Sequence, residues 1–414
     1  MLNPDFSLFD DNMFVQVRHL LADSAPHPGR ELIDVTVGEP RIAPPHWLAD
    51  ELMKAASNWQ AYPKAFADAH FLSCLEQYFA NRFSAIAGGF SLAEHIVPVP
   101  GTREPLHFLG SCVRGAKPDS VALVSNPFYH AWRTGAMFAG GEIHYLPAFA
   151  ENGFLPDLQQ LDEALLRRTS ILYLCSPSNP QGSIASAAYI AHAIELARHY
   201  DFLLVMDECY IDIWRNNKPV SALEVAFEMS PDAEDPFHHL VVLNSLSKRS
   251  SAAGLRVGFL CGDKRLISAY TKLVANGGAL VPTPLLHVGG ALYADEQHNA
   301  EIRAHYDTSF EILDAALAID VPDGGFFLWH KVPPAFSRPN ASSDKAAEHH
   351  RTGDDLAFAK TLYEELGVKT VPGSLMASPT PHGNPGAGYV RLAIVHDHAT
   401  ISRLAERLAE MESR

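Results

Sequence analysis

The chain is predicted to fold as an α/β protein: a large domain around a mainly parallel sheet, and a smaller α+β domain. Three observations predict this. First, five short apolar runs at 121–125 (VALVS), 171–175 (ILYLC), 202–206 (FLLVM), 240–243 (LVVL) and 257–261 (VGFLC) are unbroken rather than alternating. Strands buried on both faces of a parallel sheet read this way. Second, a helix-like stretch, AAYIAHAIELARHY (187–200), separates two of these runs. Strand, helix and strand at this spacing form a βαβ unit, and several in series form a doubly wound sheet. Third, the last third changes character. A helical run spans about 285–318, then the turn Pro322-Asp-Gly-Gly325 leads into a strand-like run ending at Trp329. A polar segment, 335–352, reads as a mobile loop. A helix around 354–366 and a strand ending in VRLAIV (390–395) complete the smaller unit.

The bulk numbers exclude several classes. A chain of 414 residues suits one large domain plus a smaller one. With 47% hydrophobic and 19% charged residues it is neither disordered nor fibrous. A net charge of −16 argues against nucleic acid and anionic membrane as partners, since phosphates need lysine and arginine. Small anions remain open, because a few cations can hold them locally. No apolar stretch approaches the roughly 18 residues of a membrane span. The start, MLNPDFSLFDD, is acidic and lacks the features of a signal peptide. The five cysteines are odd in number and dispersed, which reads as reduced thiols in a cytoplasmic protein. The 21 histidines include His238-His239 and His349-His350, but none has metal-ligand spacing, so no metal is expected.

Ligands of such sheets bind beyond the carboxyl ends of the strands. Four of the runs end in polar, chemically capable groups: Asn126-Pro-Phe-Tyr129, Ser176-Pro-Ser-Asn179-Pro180, Asp207-Glu-Cys-Tyr210 and Asn244-Ser245-Leu-Ser247-Lys248. A lone lysine is usually a solvated surface residue. Lys248 instead follows a buried strand directly, and a lysine that bonds a carbonyl needs a lowered pKa. Arg249 and Arg256 are candidate sources of that shift. Ser245, Ser247 and Arg256 would also suit a phosphate, as two neutral donors and one forked cation. Asp207 ends a very apolar run, where a carboxylate is costly unless paired; its bland alternative is a helix N-cap. Tyr210 could be a core aromatic and Asn179 a turn former. Gly101-Thr102-Arg103-Glu104 precedes a helical run. Such a turn exposes backbone N–H groups to an anion, and it also fits a capping box. Arg391 sits inside an apolar strand, so it needs an anionic partner: a substrate carboxylate or a structural salt bridge.

Taken together, Gly101-Thr-Arg-Glu, Asn179-Pro-Gln-Gly, Asp207-Glu-Cys-Tyr210, Ser245-Leu-Ser-Lys248 with Arg256, and Arg391 resemble the motif series of the class I/II aminotransferases, of fold type I, from Gly38 to Arg391. The resemblance implies pyridoxal 5′-phosphate (PLP) as cofactor, a seven-stranded sheet and a homodimer with shared active sites. It implies a large domain over 46–290 and a small one made of 1–45 and 291–414. Lys248 would bond the cofactor covalently and act as base, and Asp207 would pair with the pyridine nitrogen. Asn179 and Tyr210 would bind the phenolic oxygen, and Tyr129 would stack on the ring. Gly101, the backbone of Thr102 and Arg103, Ser245, Ser247 and Arg256 would hold the phosphate. Tyr62 would reach the phosphate of the neighbouring subunit. Gly38, Asn179 and Arg391 would meet the substrate amino acid or 2-oxo acid. The implied kinetics are ping-pong, with glutamate as donor.

Ser245-Leu-Ser-Lys-Arg-Ser, Asn126-Pro-Phe-Tyr and Asn384-Pro-Gly-Ala-Gly-Tyr-Val-Arg391 also resemble the bacterial N-succinyldiaminopimelate aminotransferases of lysine synthesis. Departures at Ala65–His70, Ala252-Ala253 and Ala275–Gly278, the last near the expected substrate pocket, leave the PLP chemistry intact and bear on the substrate side chain. An aspartate or aromatic aminotransferase and a C–S lyase are the open alternatives. A PLP-dependent transcription regulator would need a DNA-binding module, and only 37 residues precede Gly38.

Overall fold

The computed structural model describes residues 12–336 and 354–412. Most of the loop expected at 335–352 lies outside the described residues. Helix α1 (Met13–Leu20) comes first. Seven strands then build the main sheet: β1 (Ile96–Val99), β2 (Val121–Asn126), β3 (Glu142–Pro147), β4 (Thr169–Cys175), β5 (Leu203–Asp207), β6 (Leu240–Ser245) and β7 (Gly258–Gly262). Their spatial order is β1-β7-β6-β5-β4-β2-β3.

Neighbours from β3 across to β6 run parallel, while β7 is antiparallel to both β6 and β1. The run at 257–261 is therefore a correction to the parallel reading. The link from β6 to β7 holds only the one-turn helix Leu246–Arg249 and a short 3-10 turn. A parallel return needs a crossover over the sheet face.

The unbroken apolar runs have a direct cause. Successive side chains point to opposite faces, and both faces are covered. Ile171, Tyr173, Leu203, Val205, Val241 and Leu243 join one cluster; Leu172, Leu174, Leu204, Met206 and Val242 join the other. Helices α2 (Arg103–Val113) and α3 (His130–Ala139) supply Leu106, Leu109, Ala131 and Trp132 to the first face. Helix α4 (Ala187–Tyr200) supplies Ile190, Ala193 and Ile194 to the second. The alternation puts Asp207 on the α2–α3 face, in step with Leu203 and Val205.

The helical run at 285–318 is two helices, Thr283–Ala294 and α5 (Glu296–Leu317). The break is Asp295, whose carboxylate accepts the His298 N–H and caps α5. The first half of α5 packs Ile302 and Tyr306 into the sheet core, and its second half packs Phe310 and Leu313 into a third cluster. That cluster draws on both chain regions: Ile33 and Val35 from the start, Leu328, Phe358, Leu392 and Leu404 from the end. Strands β8 (Phe327–Lys331), β9 (Val371–Pro372) and β10 (Tyr389–Ala393) form its antiparallel sheet, in the order β9-β10-β8. The pair Ile33–Asp34 and Val368–Lys369 ties the two regions together. Helix α6 (His398–Glu412) packs along α5. No helix among the described residues is long and apolar enough to cross a membrane.

Candidate active site

At the carboxyl ends of β4, β5 and β6 lies a cavity of about 200 Å³. Gly38, Thr102, Arg103, Tyr129, Asn179, Asp207, Tyr210, Lys248 and Arg391 all line it, with Trp132, Cys175 and Cys209 beside them. Residues some 350 positions apart in sequence thus meet in one space.

Lys248 sits on the one-turn helix after β6, half-buried, with Nζ donating to the Gly38 carbonyl at 2.6 Å. Burial pushes its amine down to about 8, with Arg391 and Arg103 pushing the same way. This corrects the expected source of the shift. Arg249 turns away from the cavity and is tied to Asp212, Glu296 and two carbonyls.

Asp207 is 5% exposed and caps no helix. Its carboxylate accepts from Trp132 Nε1 at 3.1 Å and from the Cys209 N–H at 3.3 Å. Burial raises its pKa while these neutral donors lower it. Trp132 carries no sequence signal for this role; only its place on α3, three residues past Tyr129, brings the indole to β5. Tyr210 is buried with its ring edge-on to Phe326 and Phe327. Tyr129, the N-cap residue of α3, receives a hydrogen bond from Arg103 Nε at 3.1 Å.

Arg391, on β10, is 3% exposed. It donates to the Thr36 carbonyl at 2.7 Å and to Asn179 Oδ1 at 3.3 Å. Its Nε is buried without an acceptor, and no carboxylate among the described residues pairs with it. The salt-bridge alternative does not hold. Asn179, with Oδ1 engaged, keeps its amide hydrogens free for a ligand oxygen.

Gly101, Ser245, Ser247, Arg256 and Tyr62 lie outside the cavity lining. Gly101 has φ +76°, and a Cβ there would collide with Arg256 Nη2. Arg256 donates to the Pro100 and Ala253 carbonyls, which holds its guanidinium over this turn. Ser245 and Ser247 are buried and bond to each other at 3.0 Å. Thr102 Oγ1 contacts Cys209 Sγ at 3.0 Å rather than capping α2, and Glu104 accepts from the Ala279 N–H. The capping-box reading is thereby corrected. Tyr62 is 97% exposed and stands on the surface.

A sequence model described as "Aminotransferase class I and II" matches residues 30–408. The chain belongs to that family. It is a PLP-dependent aminotransferase with an α/β fold. It resembles the LL-diaminopimelate aminotransferases of Moorella thermoacetica, 25% identical over 96% of this chain and 94% of the relative, and of Syntrophobacter fumaroxidans, 27% identical over 92% of each. A crystal structure of an aminotransferase from Neisseria meningitidis Z2491 superposes with a TM-score of 0.87 at 28% identity, covering 98% of this chain and 100% of that one.

The residues present fit PLP. The cavity offers this aminotransferase a lysine whose pKa is pushed down to about 8 and a desolvated carboxylate touched only by neutral donors. A glycine turn without room for a Cβ adjoins a fixed guanidinium. These match an aldehyde, a pyridinium and a phosphate in turn.

Proposed function

We propose that this aminotransferase moves the amino group of glutamate to a 2-oxo acid of the diaminopimelate skeleton, free or N-succinylated. One observation carries the site assignment: Lys248, Asp207, Asn179, Tyr210 and Arg391 line one cavity. The substrate class rests on the relatives' names together with the shape of the site. The cavity shares Met13 and His130 with a second hollow of about 230 Å³, edged by Asn12, Gln16, Ser374 and Asn384. A long substrate with polar distal groups fits that pair of spaces.

Arg391 binds the substrate α-carboxylate with its forked guanidinium, and that carboxylate is the anion its buried charge lacks. Lys248 would hold the cofactor through Nζ, and the same Nζ is placed to serve as the base for the substrate Cα proton. Bound PLP supplies an electron sink for the carbanion charge. Asp207, held by the Trp132 indole, would pair with the ring nitrogen and keep it protonated. Asn179 and Tyr210 would bind the phenolic oxygen, and Tyr129 would stack on the ring. Ser245, Ser247, Arg256 and the Gly101–Arg103 turn anchor the phosphate.

The large unit spans 46–290 and the small one 1–45 with 291–414. The aminotransferase works as a homodimer, with Tyr62 completing the partner's site. Met53, Trp59, Tyr62 and Phe66, all more than half exposed, support this, because such an apolar group is costly in water. The five thiols are free, in keeping with a cytoplasmic enzyme.

Two experiments test this reading. Lys248→Ala should abolish turnover; near-normal activity would end it. A panel of LL-diaminopimelate, its N-succinyl form, aspartate, aromatic amino acids and cysteine-type substrates would identify the partner. Pyruvate release from the last alone would point to C–S cleavage instead.

A further inference from the structure

We infer that Arg215 is a positioning residue for the catalytic cavity, acting through the turn Pro322–Gly325. The inference rests on the roles proposed for Lys248 and Arg391.

Three donors of this one residue reach three carbonyls of that turn. Its N–H donates to Asp323 O at 3.0 Å, Nη1 to Pro322 O at 2.6 Å and Nη2 to Gly325 O at 2.7 Å. The side chain is 8% exposed, and its guanidinium carbon lies 3.9 Å from the Phe310 ring centroid. The turn answers in kind. Gly325 N–H donates to Ile213 O at 2.8 Å and Gly324 N–H to Gly182 O at 3.0 Å. A Cβ on Gly324 would collide with Pro177, so the turn lies flush against the loop that carries Asn179.

The next two residues stand at the site, and Phe327 lines the cavity itself. The Phe326 ring centroid is 5.5 Å from Lys248 Nζ. The Phe327 centroid is 4.5 Å from the Arg391 guanidinium carbon, and its edge fills the space beside Gly38. Fixing the turn therefore fixes two rings, and the rings confine the amine and the carboxylate-binding arginine. A forked guanidinium can span two carbonyls at once, whereas an ammonium donates from a single point. The nearby Asp307 is 44% exposed and 3.9 Å from Nε, so that ion pair is peripheral.

The test compares Arg215→Lys with wild type, and Asp307→Asn serves as the control. Arg215→Lys should raise KM for L-glutamate, or for whichever donor the wild-type enzyme turns over, by about tenfold. The pH midpoint for the reaction of Lys248 in the apoprotein with PLP should move upward as its apolar wall loosens. The affinity of the apoprotein for inorganic phosphate should stay within about threefold, because that anchor is assigned to Gly101, Ser245 and Arg256 and not to the turn. Asp307→Asn should behave as wild type. If Arg215→Lys does not fold, Phe327→Leu should reproduce the rise in KM. A folded Arg215→Lys variant with unchanged KM and midpoint overturns the inference, as does a parallel loss of phosphate affinity. An active Lys248→Ala enzyme would defeat the proposed function itself. An inactive one beside a normal Arg215→Lys would defeat only this inference.

Discussion

Two residues show how the local medium sets the chemistry. Lys248 is held near 8 by burial, and only a neutral amine attacks an aldehyde. The depressed value means the neutral form appears above about pH 8 and is lost below it. The rate at which apoprotein combines with PLP should rise through that pH, read by absorbance in stopped flow. A midpoint near that of an ordinary lysine would show that the amine is solvated. Asp207 depends on Trp132 for one of its donors. Trp132→Phe keeps a ring and removes the donor. A hydrogen bond to a charged group contributes about 1.5–3 kcal/mol, so kcat should fall by about tenfold or more with the fold intact by circular dichroism. Arg391 could be read from sequence because a cation in an apolar strand demands an explanation. Trp132 could not, because an indole on a helix face looks like any core aromatic.

At the scale of elements, the site is a set of strand tails. The alternation that buries Leu203 and Val205 also aims Asp207, and the turn after β6 aims Lys248. The junction of β1 and α2 is the tightest of these joints. Gly101 adopts φ +76° and leaves no room for a Cβ beside Arg256. Gly101→Ala adds the strain of a left-handed residue, about 1–2 kcal/mol, and displaces the guanidinium. PLP affinity of the apoprotein should fall by about tenfold, with a smaller loss of thermal stability. Most strand positions were legible in their apolar runs. The direction of β7 was not, since a strand buried on both faces reads the same either way. The break at Asp295 carried a legible cap, but the apolar helix before it masked the signal.

For the whole molecule, the exposed group of Met53, Trp59, Tyr62 and Phe66 marks where a second copy is expected. Trp59→Glu places a charge in that contact, which is costly to desolvate. Sedimentation velocity should show a shift from two copies toward one, with activity falling in step. A wild-type enzyme that sediments as a fully active monomer would remove the case for shared sites. Helix α5 belongs to two cores at once, so a boundary near 290 separates the units in sequence more sharply than in packing.

Sequence by itself determined the α/β class, because unbroken apolar strands and the polar tails after them are local patterns, and the family chemistry came from the resemblance of its motif series to the class I/II aminotransferases. Tertiary structure decided which charges go unpaired. Arg391 faces Asn179 and a backbone carbonyl rather than a carboxylate, and Lys248 gains its shifted pKa from burial and from Arg391 and Arg103 rather than from adjacent Arg249. The reason is physical: electrostatic energies depend on distance and on the surrounding medium, and neither can be read from separation along the chain.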